Sequence, residues 1–170
     1  MTALSRLLFP ALLLLAFTGC SHYRLGTGAT PAFSTLHVEP VAVAALIPQS
    51  KALFTTQVRE TFIRDGRVAL VNDPESADAT LLITVRHYDR EVATVRPGDT
   101  GLARKFAIIL RADATLYDRR SGKNLFVQRP ITVKRELFTD SGQVQAEYQL
   151  LPLLAADLAD QARHAVLDVW

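Results

Sequence analysis

The sequence predicts an α+β fold, with a mainly antiparallel or mixed sheet of about four to five strands and two helices packed on one face. Three observations lead there. Between residues 79 and 133, three strand-like stretches follow one another, separated only by short turn signals. Two other stretches, residues 51–65 and about 150–168, repeat apolar residues at helical spacing. The resulting order, β-α-β-β-β-β-α, segregates the helices from a run of strands instead of alternating with it. At 170 residues the chain is about one domain's worth, and 49% hydrophobic content suffices for a core. Nineteen basic residues against 17 acidic ones leave a formal net charge of +2, so composition makes no case for a nucleic-acid partner. One cysteine excludes an internal disulfide, and one cysteine with four histidines is poor material for a zinc site.

Residues 1–19 read as a lipoprotein signal peptide. Arg6 is their one charged group, and residues 7–17 form an apolar run. Such a run is too short to cross a bilayer core of about 30 Å, which takes about 20 helical residues, so a targeting segment is the better reading. Phe17-Thr18-Gly19-Cys20 resembles a bacterial lipobox, with Phe17 where that pattern prefers Leu. Small residues at Thr18 and Gly19 leave the backbone open to a peptidase. The resemblance implies that Cys20 is the lipid-attachment residue, bearing a diacylglycerol and an N-acyl chain. No other cofactor is expected. Several acyl chains anchor stably, at about 0.8 kcal/mol per buried CH₂, where a single myristoyl does not. By the same resemblance, Ser21 after the cysteine favours the outer membrane. Residues 20–34 hold Gly26, Gly28 and Pro31 without periodicity and read as a lipidated N-terminus and tether. Residues 35–170 read as a single α/β domain.

The first strand is expected over residues 35–40, where Leu36 and Val38 alternate with His37 and Glu39. Ser50 is a suitable N-cap for a helix from Lys51 to Asp65, on which Phe54, Val58 and Phe62 stack at i, i+4 and i+8. Gly66 ends it. A short strand over 67–72 follows, and Asp73-Pro74-Glu75-Ser76 is a turn. Leu81, Ile83 and Val85 mark a strand that continues less regularly to Val95, and Arg96-Pro97-Gly98-Asp99 reads as a loop. The clearest strand covers 106–116, with Phe106, Ile108, Leu110, Ala112, Ala114 and Leu116 on one face. After the Arg119-Arg120-Ser121-Gly122 turn, Leu125, Val127, Ile131 and Val133 form a returning strand, and Pro130 suggests a bulge or an edge. The last helix is expected to begin near Pro152, because proline is tolerated only in a first turn. Its stripe would be Leu151, Leu154, Leu158, Ala162, Ala165 and Val169, with Asp157, Asp160, Arg163 and His164 on the wet side. Leu110, Leu116, Leu154 and Leu158 are the expected core.

No catalytic constellation emerges. His22, His37, His87 and His164 lack metal-ligand spacing, and no serine has a nucleophile-elbow context. The expected protein is no enzyme and holds no metal. The bases are unevenly placed, twelve of them lying between residues 86 and 135. Two readings stay open: a solvated sheet face with interspersed acids, or a surface for anionic ligands, since arginine forks match phosphate oxygens.

Cys20-Ser21-His22-Tyr23-Arg24-Leu25-Gly26 resembles the start of the LPS-assembly lipoproteins of the LptE type. The strand and helix order, Val95-Arg96-Pro97-Gly98-Asp99-Thr100, and Gln145-Ala146-Glu147-Tyr148-Gln149 are similar to that family as well. The resemblance implies a lipid-anchored outer-membrane protein that plugs and helps assemble a β-barrel lipopolysaccharide translocon of the LptD type. Its domain would lie on the periplasmic side. Arg96 matches the family's lipopolysaccharide-contacting basic residue. Arg104 and Lys105, at the start of the next strand, would complete a cationic cluster with it. A second family site, before the last helix, has no match in Gly142-Gln143-Val144. The alternative is an auxiliary lipoprotein of an ABC-type lipid transport system.

Overall fold

In the computed structural model, which describes residues 31–47, 50–92, 105–138 and 143–168, nine elements follow in order. They are β1 (Thr35–Val38), β2 (Ala42–Val43), α1 (Ser50–Asp65), β3 (Ala69–Leu70), a 3-10 turn (Pro74–Ser76), β4 (Ala79–Val92), β5 (Lys105–Asp118), β6 (Lys123–Phe138) and α2 (Gln143–Leu167). The sheet has six strands in the order β3-β1-β4-β5-β6, and β2 continues the pairing along β4. β1 runs parallel to both β3 and β4, and β2 runs parallel to β4. β4, β5 and β6 form an antiparallel meander. The fold is therefore α+β with a mixed sheet, one strand richer than expected. The extra strand is β2, whose two residues are too few to show an alternation.

Both helices cover the face that carries Leu36, Leu81, Ile83, Leu110, Leu116, Ile131 and Val133, and all of these are buried. On α1 the i, i+4, i+8 triad of Phe54, Val58 and Phe62 is fully buried. Gly66 ends that helix at φ 73°, a left-handed conformation that glycine adopts without a Cβ penalty. Ser50 is itself the first helical residue, and its hydroxyl donates to the Ile47 carbonyl at 2.8 Å, so it ties the helix to the preceding loop. The strand expected over 67–72 shrinks to Ala69–Leu70, held against β1.

The irregularity of β4 has a local cause. Val85 faces Ala112 and His87 faces Arg111, which leaves Arg86 as an extra residue. This bulge moves the helix-covered face from Leu81, Ile83 and Val85 to Tyr88, Arg90 and Val92. A second bulge interrupts β6, where Leu116 and Ala114 face Phe126 and Arg129, with Gln128 at φ 48°. Pro130 follows directly and pairs with Asp113, on a strand that is the edge of the sheet.

The last helix departs most from expectation. It begins at Gln143 and passes through Pro152. Proline has no N–H for the Tyr148 carbonyl, but both residues are exposed, and water satisfies an exposed carbonyl. Buried Ala146 and Leu150 hold the first turns against the core. The buried stripe also differs. Leu154, Leu158 and Ala162 belong to it, but Leu151 and Ala165 are only half-buried, and Val169 lies outside the described residues. Leu150, Ala155, Ala159, Val166 and Leu167 complete it. A helix that packs on both a sheet and another helix buries a face wider than one row.

Candidate functional site

Two features define the surfaces of the meander: arginines that hold α2 from below, and a sheet face that no described helix covers. On the helix side, Arg135 of β6 grips Asp157 with both nitrogens, Nε at 2.5 Å and Nη2 at 2.6 Å. Asp157 beside it raises the Arg135 pKa above its ordinary value. Arg129 donates to the Ala165 carbonyl at 2.6 Å and lies over the Phe126 ring. Arg90 of β4 pairs with Glu147. Three cations from two strands thus reach three levels of α2. Tyr88, beside the Arg90 pair, has its pKa pushed up to about 12 by burial and by the charge of Glu147.

The opposite face is an ion-pair lattice. Arg86 donates to Asp113 at 2.9 Å, Lys105 lies 2.7 Å from Glu136, and Arg111 pairs with Asp89. Lys134 and Glu91 are the remaining charges of this face among the described residues. Four cations therefore face four carboxylates. Central Ala107 and Ile109 are buried on this face, Ala107 between Glu91 and Glu136 and Ile109 between Asp89 and Lys134. Asp157 and Arg163, expected on the wet side of α2, are ion-paired instead. Arg163 lies 3.2 Å from Asp65, and Arg67 bonds Asp65 at 2.7 Å and Asp168 at 2.7 Å. Asp65 and Asp168 sit at the C-terminal ends of the two helices, where the macrodipole disfavours a carboxylate. The two arginines offset that cost, and hydrogen bonding from Arg67 lowers the Asp65 pKa. Sequence reasoning missed this cluster, since its members are about 100 residues apart.

The described chain enters the fold at a defined point. Asp78 accepts from the Ser34 N–H at 2.8 Å, the Ser34 hydroxyl at 2.7 Å and the Thr35 N–H at 3.0 Å. Those donors hold its carboxyl well below the usual carboxylate range, the Ser34 hydroxyl foremost. Arg120, in the β5–β6 turn, donates to the Ala32 carbonyl. β4 starts here and ends at Val92, fourteen residues on, so its far end is about 45 Å away. Lys105 opens β5 at that far end, paired with Glu136. Cys20, Arg96 and Arg104 lie outside the described residues. Among the described residues no group of three histidine, cysteine or acidic side chains is placed to hold a metal ion. No described helix is long and apolar enough to cross a membrane.

A model of the lipopolysaccharide-assembly family LptE matches residues 33–165. No curated protein sequence matches the chain. Among solved structures, the chain is similar to a hypothetical protein from Chlamydia trachomatis, with a TM-score of 0.54 and 11% identity over 79% of this chain and 96% of that one. It is also similar to a minor lipoprotein from Acinetobacter baumannii, at 0.51 and 21% over 79% and 91% of the two chains. Uncharacterized lipoprotein B from Nitrosomonas europaea matches at 0.50 and 22%, over 85% and 90%. These likenesses establish the fold.

Proposed function

The chain belongs to the LptE family of lipopolysaccharide-assembly proteins, and from that premise we propose that it is an outer-membrane lipoprotein that plugs and helps assemble a β-barrel lipopolysaccharide translocon. The family match over residues 33–165 is the observation that carries the reading. Cys20 is the anchor in this reading, and the domain acts without catalysis.

Two properties of the fold support it. The meander is about 45 Å long, more than the roughly 30 Å of a hydrocarbon core. Among the described residues its uncovered face carries eight charged side chains, three of each sign paired, which no lipid-facing surface tolerates. The lumen of a large outer-membrane barrel is polar, and a charge-balanced face suits it. Arg96, with Arg104 and Lys105, is assigned to lipopolysaccharide phosphates, and Lys105 opens β5 at the end of the meander away from Asp78. Cross-linking in intact cells followed by pull-down of the full chain tests the reading. Recovery of an outer-membrane β-barrel is expected, with reduced surface lipopolysaccharide on depletion. Recovery of inner-membrane transporter subunits alone would refute it and favour the ABC-system alternative.

A further inference from the structure

The edge of the sheet at β6 is guarded over half its length and open over the rest. Unpaired edge strands invite added strands, and proteins blunt them with lysines, prolines and bulges. Here the first half has all three: Lys123, the bulge at residues 126–129, and Pro130. From Ile131 to Leu137 the register with β5 is unbroken, and no described strand pairs with the other side. Every second residue of such an edge turns both its N–H and its C=O outward.

The near part of this open half, Ile131 to Lys134, lines a groove. A cavity of about 470 Å³ lies between Thr132, Val133 and Lys134 of β6 and Asp157, Gln161 and His164 of α2. A second, of about 450 Å³, continues along Pro130 and Ile131 and shares Gln161 and His164 with the first. An edge strand beside a helix, with a trough between them, is the arrangement that accepts an extended peptide as an extra strand. The charges narrow the occupant. Asp157 is held by Arg135, Asp160 lies 3.8 Å from Arg163, and His164 contacts Asp168. Exposed Lys134 has no such counter-ion among the described residues. On the α2 side, Ile131, Val133 and Ala165 offer an apolar floor with little depth.

We propose that residues 131–137 and α2 form a docking groove for an extended segment of a partner protein, added as a strand to β6, with an acidic side chain beside Lys134 and small apolar side chains towards α2. Seven residues at about 3.4 Å each give a contact about 24 Å long. The proposal concerns the mode of docking and does not depend on the barrel reading.

The test uses the purified full chain and a capped heptapeptide of alternating valine and glutamate, followed by amide hydrogen exchange. Slowed exchange confined to residues 131–137 is expected. Replacing the glutamates by lysines is expected to weaken binding by about fivefold, the upper end for an exposed ion pair. Lys134→Glu is expected to reverse that preference. Methylating the peptide's edge-facing amides is expected to weaken binding at least tenfold, because each removes a donor. Binding that ignores methylation, or protection elsewhere on the chain, would overturn the proposal. So would protection of β6 that rises with protein concentration alone, which would assign the edge to a second copy.

Discussion

Leu158 and Leu153 lie on the same helix and meet opposite fates. Leu158 is fully buried between α2 and the core, whereas Leu153 is 48% exposed. Truncating Leu158 to alanine removes three carbons from an apolar environment, a loss of about 2.4 kcal/mol at roughly 0.8 kcal/mol per carbon. A residual cavity adds to this, because close-packed surroundings relax only partly, and the total falls at about 3–4 kcal/mol. With a urea m-value of about 2 kcal/mol/M for a domain of this size, Leu158→Ala is expected to lower the unfolding midpoint by about 1.5–2 M. Leu153→Ala is expected to move it by about 0.25 M or less, as for an exposed site. Urea titrations followed by far-UV circular dichroism measure both. Equal shifts, or a larger one for Leu153, would refute the assignment of the buried face of α2.

Three further outcomes are expected. Cys20→Ala abolishes labelling by a fatty-acid analogue that marks the unsubstituted chain, and equal labelling of both would rule out acylation at Cys20. The depressed carboxyl of Asp78 contributes stability that is full above its unfolded value of about 3.9 and is lost as pH falls through the lower folded one. Asp78→Asn therefore flattens the loss of urea midpoint below about pH 4, and an unchanged slope would show that the Ser34 and Thr35 donors do not matter. Arg96→Asp with Lys105→Glu weakens lipopolysaccharide binding most at low salt. Adding Glu136→Lys restores the broken strand pair but not the binding, and full recovery would show that only the fold had been damaged.

Legibility in the sequence followed the strength of local periodicity. The strand at 106–116 and the Phe54, Val58, Phe62 helix each bury a single clean face, so alternation and helical spacing located them to within a residue or two. β4 blurred after Val85 because the bulged Arg86 shifts the period by one, and a period carries no label for an inserted residue. The first nine residues of α2 were hidden by Pro152. Propensity places a proline at a helix start, but burial of Ala146 and Leu150 outweighs it when the orphaned carbonyl is wet. The parallel pairing of β1 with β3 and β4 leaves no local mark, since strand direction depends on where the connection crosses.

The basic stretch between residues 86 and 135 shows what composition hides. Its count of twelve bases left open a solvated face with interspersed acids and a surface for anions, and the folded register sets an acid beside most of the described ones. Arg86, Lys105 and Arg111 find carboxylates across the uncovered face, while Arg90 and Arg135 turn to the other side and hold α2. A paired cation and carboxylate act at a distance as a dipole, whose field dies away faster than that of a lone charge. Exposed pairs of this kind contribute only about 0–1 kcal/mol each to stability, so a phosphate still competes for one of them at close range. What the pairing removes is long-range attraction. A multivalent anion would therefore be drawn by charges that the fold leaves unmatched and then held by short contacts. Arg96 and Arg104 share the sequence between β4 and β5 with one acid, Asp99, a local excess of one positive charge. An attraction between solvent-exposed charges is screened by salt, which is why low ionic strength is the condition under which the assignment of this loop stands or falls.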